Sequence, residues 1–133
     1  MQFNNIYKEN YSLIFMEENK TCIFCKIVKG EINSKKIYED ENFIAVLDKN
    51  PVVEGHTIII SKKHFRNLLD LPNTLGNELL EAIKEISLKL IGAGKAEGVN
   101  VISNNEPVSG QVIFHTHVHI IPRKKDDGLK NII

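Results

Sequence analysis

Hydrophobic and polar positions change period along the chain, and the changes mark out its elements. Leu75, Leu79, Ile83, Ile86 and Leu90 recur every three or four residues, which predicts one long helix over 74–91 with a single apolar stripe. Pro72-Asn73-Thr74 supplies its start, and Gly92 and Gly94 its stop. Ahead of it, Ile37-Tyr38-Glu39 and Phe43-Ile44-Ala45-Val46-Leu47 flank the charged turn Asp40-Glu41-Asn42, which predicts a hairpin. Thr57-Ile58-Ile59-Ile60, a β-branched run opened by Gly55 and His56, predicts a well-buried central strand. Two more strands follow the helix, Val99 to Ser103 and Ile113 to Ile121, the second ended by Pro122. Near the start, Ile23, Phe24, Ile27 and Val28 sit close together before Gly30 and predict a short N-terminal helix. Strands that come in adjacent groups imply an α+β fold with a five-stranded, mainly antiparallel sheet. No internal repeat or low-complexity linker interrupts it. Residues 21–133 read as one domain, and residues 1–20 as an N-terminal extension of unknown role.

Composition narrows the class of partner. The 133 residues are 42% hydrophobic and 26% charged, which suits one soluble domain. Seventeen Lys and Arg balance seventeen Asp and Glu, so the chain lacks the basic excess of a nucleic-acid binder. Its two basic clusters, Lys62-Lys63 with Arg66 and Arg123-Lys124-Lys125, read as solvated turns. No run approaches the ~20 apolar residues of a membrane span. The apolar patch at Tyr11–Met16 lacks a basic leader and a cleavage site, so an intracellular, cytoplasmic chain is expected. In that compartment Cys22 and Cys25 are thiolates or metal ligands before they are a disulfide.

His115-Thr116-His117-Val118-His119 is the stretch richest in chemistry. On a strand, alternate side chains share a face, which puts the three imidazoles ~6.5–7 Å apart in a row. Three unsatisfied buried imidazoles are costly, so a purely structural role is disfavoured. Two chemistries use such a row: metal binding, or nucleophilic catalysis in which one neutral imidazole attacks and a neighbour binds or protonates the reacting group. Cys22 and Cys25 have the spacing of a zinc knuckle, and a tetrahedral site would need two more ligands from His56, His64, His115, His117 and His119.

With these segments in this order, the chain resembles the histidine triad (HIT) family, and within it the Hint-like branch. The resemblance runs from about Cys22 to Arg123. It is carried by residues 22–32, Tyr38-Glu39-Asp40, Leu47-Asp48 with Pro51, Gly55-His56-Thr57, Lys62-Lys63-His64, Asn104, Gly110-Gln111 and His115 to Arg123. It implies hydrolysis of purine nucleoside 5′-phosphoramidates or related nucleotidyl compounds. His117 would attack the α-phosphate and form a nucleotidyl-histidine, and water would then release the nucleoside monophosphate. His119 would contact the phosphate and help protonate the leaving group, with His56 holding the geometry. Asp48 would bind the ribose hydroxyls, Ile23, Phe24, Ile27 and Val46 the base, and Asn104, Gly110, Gln111 and Val112 the phosphate side. Zinc-containing relatives imply Cys22, Cys25, His64 and His115 as ligands of one structural zinc per chain, and a homodimer is the implied assembly.

The chain also departs from the family pattern. Val112 stands where relatives commonly place a hydroxyl residue, Lys49 replaces an apolar residue, Ser61 a proline, and Glu106 with Pro107 occupies a loop where glycine is frequent. Asn104 in place of glutamine favours the Hint-like branch over diadenosine polyphosphate hydrolases. Two rivals stay open at this level: a hydrolase with a catalytic metal on His115, His117 and His119, and a nucleotide-binding or scaffolding module that has lost catalysis.

Overall fold

A computed structural model describes residues 20–130, and the expected extension over 1–20 lies almost wholly outside them. The chain runs through a short helix α1 (Ile23–Val28), strands β1 (Lys36–Glu39), β2 (Phe43–Leu47) and β3 (Thr57–Ser61), the long helix α2 (Gly76–Gly92), then β4 (Gly98–Ile102) and β5 (His117–Arg123). Short 3-10 turns at Asn73–Leu75 and Pro107–Ser109 precede α2 and β5. The five strands form one sheet in the order β1-β2-β3-β5-β4, every pair antiparallel. This is the expected α+β architecture. Among the described residues no helix is long and apolar enough to cross a membrane.

The sheet is covered on both faces, which explains why β2 and β3 read as continuous apolar runs. Phe43, Ala45, Ile59, Val118 and Ile120 face α2 and pack with Ala82 and Ile86. Ile44, Val46, Ile58 and Ile60 face the other way and pack with Cys22, Phe24 and Cys25 around α1. Because β5 is flanked by β3 and β4, its alternation puts Val118 and Ile120 under α2 and turns His117 and His119 towards α1. The β1–β2 hairpin turns on Asp40, whose carboxylate accepts the Asn42 and Phe43 N–H groups at 2.9 and 2.7 Å. The end of α2 is closed by Gly94 at φ +73°. The Gly94 and Lys95 N–H groups donate to the Ile91 and Leu90 carbonyls, so the last turn wraps back on itself.

The bounds of α2 and β5 differ from expectation, and β4 shifts by one residue to Gly98–Ile102. Helix α2 begins at Gly76 and runs through Gly92, so Gly94 and not Gly92 ends it. Strand β5 begins at His117, not Ile113, and continues through Pro122. Ahead of it the Thr116 N–H donates to the Phe65 carbonyl at 2.7 Å and its own carbonyl accepts from Ser61, which draws 113–116 out of the ladder. Pro122 lies opposite Val99, two residues past the last β3–β5 pair at Thr57 and Ile120. Arg123 exchanges with β4 through the Glu97 N–H, so the proline nitrogen faces the side where β3 has stopped and no ladder donor is missed.

Candidate active site

The face of the sheet away from α2 carries a cavity of about 810 Å³ between α1, the end of β2 and the loop that leads into β5. His117 and His119 stand on its floor. All nine residues expected at the nucleotide line it: Ile23, Phe24, Ile27, Val46, Asp48, Asn104, Gly110, Gln111 and Val112. The short apolar run that opens the domain is therefore both core and cavity wall. Phe24 is buried and meets the His117 ring edge-on, centroids 4.9 Å apart.

Hydrogen bonds assign a different tautomer to each imidazole. His117 Nδ1 lies 2.6 Å from the His115 carbonyl oxygen, which can only accept, so Nδ1 carries the proton and Nε2 keeps its lone pair. His56 works the other way. Its Nδ1 accepts the Val52 N–H at 3.2 Å, so Nε2 carries its proton and donates to His119 Nδ1 at 2.8 Å. His119 must then hold its own proton on Nε2. The Asp48 carboxylate lies 3.3 Å from the same His56 Nε2 and accepts the Asn50 N–H on its other oxygen at 2.9 Å. His56 thus sits behind the pair, joined to His119, while His117 and His119 stack edge to face at 5.2 Å. Burial pushes all three imidazoles below their ordinary range. The fall is largest at His119, to about 4, where the neighbouring His117 and His56 add to burial. All three are neutral at pH 7, one a lone-pair donor and one an N–H donor.

The loop from 103 to 114 is organised by Gln111. This side chain is buried and fully used: its NH2 donates to the Arg66 and Ile113 carbonyls, and its oxygen accepts from Asn67 Nδ2 and the Glu106 N–H. Only the backbone of Gln111 is left to face the cavity. Val112 is 84% exposed at the mouth and offers no hydroxyl. Gly110 adopts φ +100°, and a Cβ there would lie 3.3 Å from Asn104 Nδ2, so the glycine lets the backbone pass close beside Asn104.

His115 turns away from the other two histidines of the row. Its Nε2 donates to the Ser61 carbonyl at 2.7 Å, which leaves the Nδ1 lone pair facing Cys22 Sγ at 3.2 Å, Cys25 Sγ at 3.5 Å and His64 Nδ1 at 3.1 Å. Cys25 Sγ is in turn 3.2 Å from His64 Nδ1. These four ligand atoms lie within 4.8 Å of one another. A tetrahedral ion bound at ~2.0–2.3 Å has ligand–ligand edges of ~3.3–3.8 Å, so two sulfurs and two imidazole nitrogens this close fit one metal ion. Without an ion, burial and then Cys22 push the Cys25 thiol up to about 12. A second group, Asp48, His56 and His119, is also close enough to be considered. Its 2.8 Å His56–His119 distance is that of an N–H···N bond and is short for two ligands of one ion. The three histidines of the row do not converge on a common point.

Three participants were given no role in the site by the sequence, and one reading is corrected: Arg66, expected in a solvated turn, is only 15% exposed because it pairs with Glu106 and lies over the Phe114 ring. The Val52 N–H sets the His56 tautomer, the Ser61 carbonyl sets that of His115, and Arg66 joins the loop through Glu106. Backbone groups leave no residue-type signal, and Arg66 and Glu106 are forty residues apart.

Comparison with known proteins gives the family. The HIT domain family matches residues 29–126. Adenylylsulfatase HINT3 of Arabidopsis thaliana is 42% identical over 108 residues, covering 81% of this chain and 55% of its own length. Adenosine 5′-monophosphoramidase HNT1 of Candida albicans is 38% identical over 115 residues, covering 84% and 76%. The crystal structure of a zinc-bound histidine triad family protein from Mycobacterium smegmatis superposes with a TM-score of 0.79 at 34% identity, covering 85% of this chain and 82% of that one. With the family matched over most of its length and the fold shared, the chain belongs to the HIT domain family.

Proposed function

We propose that this chain hydrolyses purine nucleoside 5′-phosphoramidates or related nucleotidyl compounds to the nucleoside monophosphate through a nucleotidyl-His117 intermediate. One observation carries the reading: two neutral imidazoles of opposite function, the His117 Nε2 lone pair and the His119 Nε2–H, face one cavity. The similarity to an adenylylsulfatase and an adenosine monophosphoramidase supports the class of substrate.

His117 Nε2 attacks phosphorus, and the P–N bond of the N-protonated substrate breaks with its electron pair leaving on the amine. The resulting imidazolium is held by Nδ1–H on the His115 carbonyl, 2.6 Å away. His119 donates its Nε2–H to the phosphoryl oxygens, kept in that tautomer by His56. Water then attacks phosphorus, the P–Nε2 bond returns its pair to His117, and one proton of the water passes to solvent. Asp48 faces the ribose, and α1 with Val46 the base. We read Cys22, Cys25, His64 and His115 as ligands of a structural zinc, which leaves no open position for a substrate and ties α1 to the end of β3 and the entry to β5. The buried reduced thiols suit a cytoplasmic chain. A homodimer is supported by the open edge of the sheet at β4. Val101 is exposed there, and Leu80, Leu88 and Ile91 form a second apolar stripe on α2.

The test is a single-turnover reaction with adenosine 5′-phosphoramidate, comparing the wild type with His117→Ala. The wild type should release AMP, and the variant should lose essentially all rate while still binding AMP. Equal rates refute the nucleophile assignment, and wild-type binding without turnover favours a non-catalytic module.

A further inference from the structure

Glu106 is a residue in the wrong conformation. Its backbone has φ +78° and ψ 153°, a region that is essentially reserved for glycine and is held elsewhere only under constraint. The constraint is visible. Arg66 grips the carboxylate in a two-pronged pair, Nε at 3.1 and 3.2 Å from its two oxygens and Nη2 at 2.9 Å from the second. Asn67 Nδ2 adds a bond at 3.3 Å. The Arg66 guanidinium itself lies 4.3 Å over the Phe114 ring. From the other side the Glu106 N–H donates to Gln111 at 2.7 Å, and the Gln111 amide returns to the Arg66 carbonyl at 2.8 Å. The ring of contacts is closed, and its two charged members are only 15% and 23% exposed.

This network joins the segment after β3 to the loop that carries Asn104 and Gly110. Apolar burial does little to hold the same loop: Val108 is 99% exposed and Val112 84%. The carboxylate also lies in a loop that would meet an anionic phosphate, and the guanidinium cancels its charge there. We propose that Glu106, clamped by Arg66, is a positioning residue: the pair locks the loop so that Asn104 and the Gly110 backbone stay against His117 and His119. It rests on the reading of the cavity as a nucleotidyl-transfer site. The strain at Glu106 is then tolerated because its side chain gains an anchor that glycine could not make.

The experiment compares Glu106→Ala, Glu106→Gly, Arg66→Lys and the Arg66→Met/Glu106→Ala double variant with the wild type. It measures kcat and KM for adenosine 5′-phosphoramidate, thermal midpoint, and amide hydrogen exchange over 104–112. Glu106→Ala should lower kcat about tenfold or more, as expected when reacting groups lose their alignment. Exchange over 104–112 should rise about as much, with β3 and β5 unchanged. Glu106→Gly should recover thermal midpoint, since it relieves the backbone, without recovering kcat. Arg66→Lys should keep only part of the wild-type rate because it keeps the charge and loses the fork. The double variant should be no slower than Glu106→Ala. Unchanged exchange and kcat in Glu106→Ala overturn the proposal. Recovery of kcat in step with the midpoint in Glu106→Gly also overturns it, by reducing the clamp to a stability device. A wild type that neither binds AMP nor turns over defeats the nucleotidyl reading itself, and the clamp with it.

Discussion

Substituting alanine at Gly94 and at Gly110 applies the same backbone penalty in two places and separates what holds the fold from what shapes the site. Gly94 sits at φ +73° at the end of α2, and a Cβ there would meet nothing within 4 Å. Gly94→Ala therefore costs only the left-handed backbone, ~1–2 kcal/mol. For a domain of this size each kcal/mol shifts the thermal midpoint by roughly 4 °C, so a fall of about 4–8 °C is expected with kcat/KM unchanged. Gly110, at φ +100°, carries at least the same penalty. Its Cβ would also stand 3.3 Å from Asn104 Nδ2 and 3.8 Å from Asn104 Cγ, so Asn104 must shift by a few tenths of an ångström. Gly110→Ala should show a similar fall in midpoint and, in addition, roughly a tenfold loss of kcat/KM, in the range that small misplacements near reacting groups produce. Thermal denaturation followed by circular dichroism gives the first quantity. Steady-state release of AMP at 25 °C, where both variants remain folded, gives the second. A Gly110→Ala protein with normal kcat/KM would show that Asn104 does not need its present place. A Gly94→Ala protein that loses turnover would show that activity merely follows global stability.

Two further outcomes follow from the site. Burial holds His56, His117 and His119 below 6.5, with His119 near 4, so the unfolded chain binds more protons than the folded one across that window. Stability should be full above pH 6.5 and decline as pH falls towards 4 in urea melts, and kcat/KM should be level from pH 7 to 8 with an acid limb below 6.5; an acid limb centred above 7 would contradict a neutral His117. Removing metal with a chelator should lower stability by ~3 kcal/mol or more, the linkage expected for an ion present well above its dissociation constant, with one zinc per chain by metal analysis. Turnover by the fraction that stays folded should persist, and loss of turnover at unchanged stability would place the ion in the chemistry.

Much of this protein is written in local pattern. The stripe Leu75, Leu79, Ile83, Ile86 and Leu90 specified α2 because each of these positions meets the sheet. The unbroken runs in β2 and β3 signalled burial on both faces, which α1 and α2 supply. Residue types sufficed where chemistry depends on type: two cysteines a helical turn apart, and alternating histidines on a strand. They did not suffice where the outcome depends on a distant backbone group. The start of β5 is decided by the Phe65 carbonyl, which claims the Thr116 N–H before the strand begins. Spacing alone could not choose which histidines join the two cysteines, because the choice is made by the Ser61 carbonyl turning His115 towards them. Gln111 carries no mark that tells a phosphate contact from a loop brace, and here its amide is fully engaged as the brace.

In the proposed reaction His117 and His119 would meet the phosphate as neutral dipoles, and the tautomers say how. A cationic imidazole would bind phosphate tightly in both the substrate and the product, which lowers KM without helping the chemical step. Burial removes that option by keeping His117 and His119 neutral, and the hydrogen bonds behind them decide which nitrogen bears the proton. In the proposed mechanism positive charge would arise only when His117 joins phosphorus, and the His115 carbonyl lies 2.6 Å from the Nδ1 that would carry it. On that mechanism the stabilisation by the His115 carbonyl would be strongest in the covalent state. The same reasoning accounts for the acid at position 106. An unpaired carboxylate in the loop that carries Asn104 and Gly110 would oppose a bound phosphate. Arg66 pairs with that charge, which under the proposal above leaves the residue as a mechanical support.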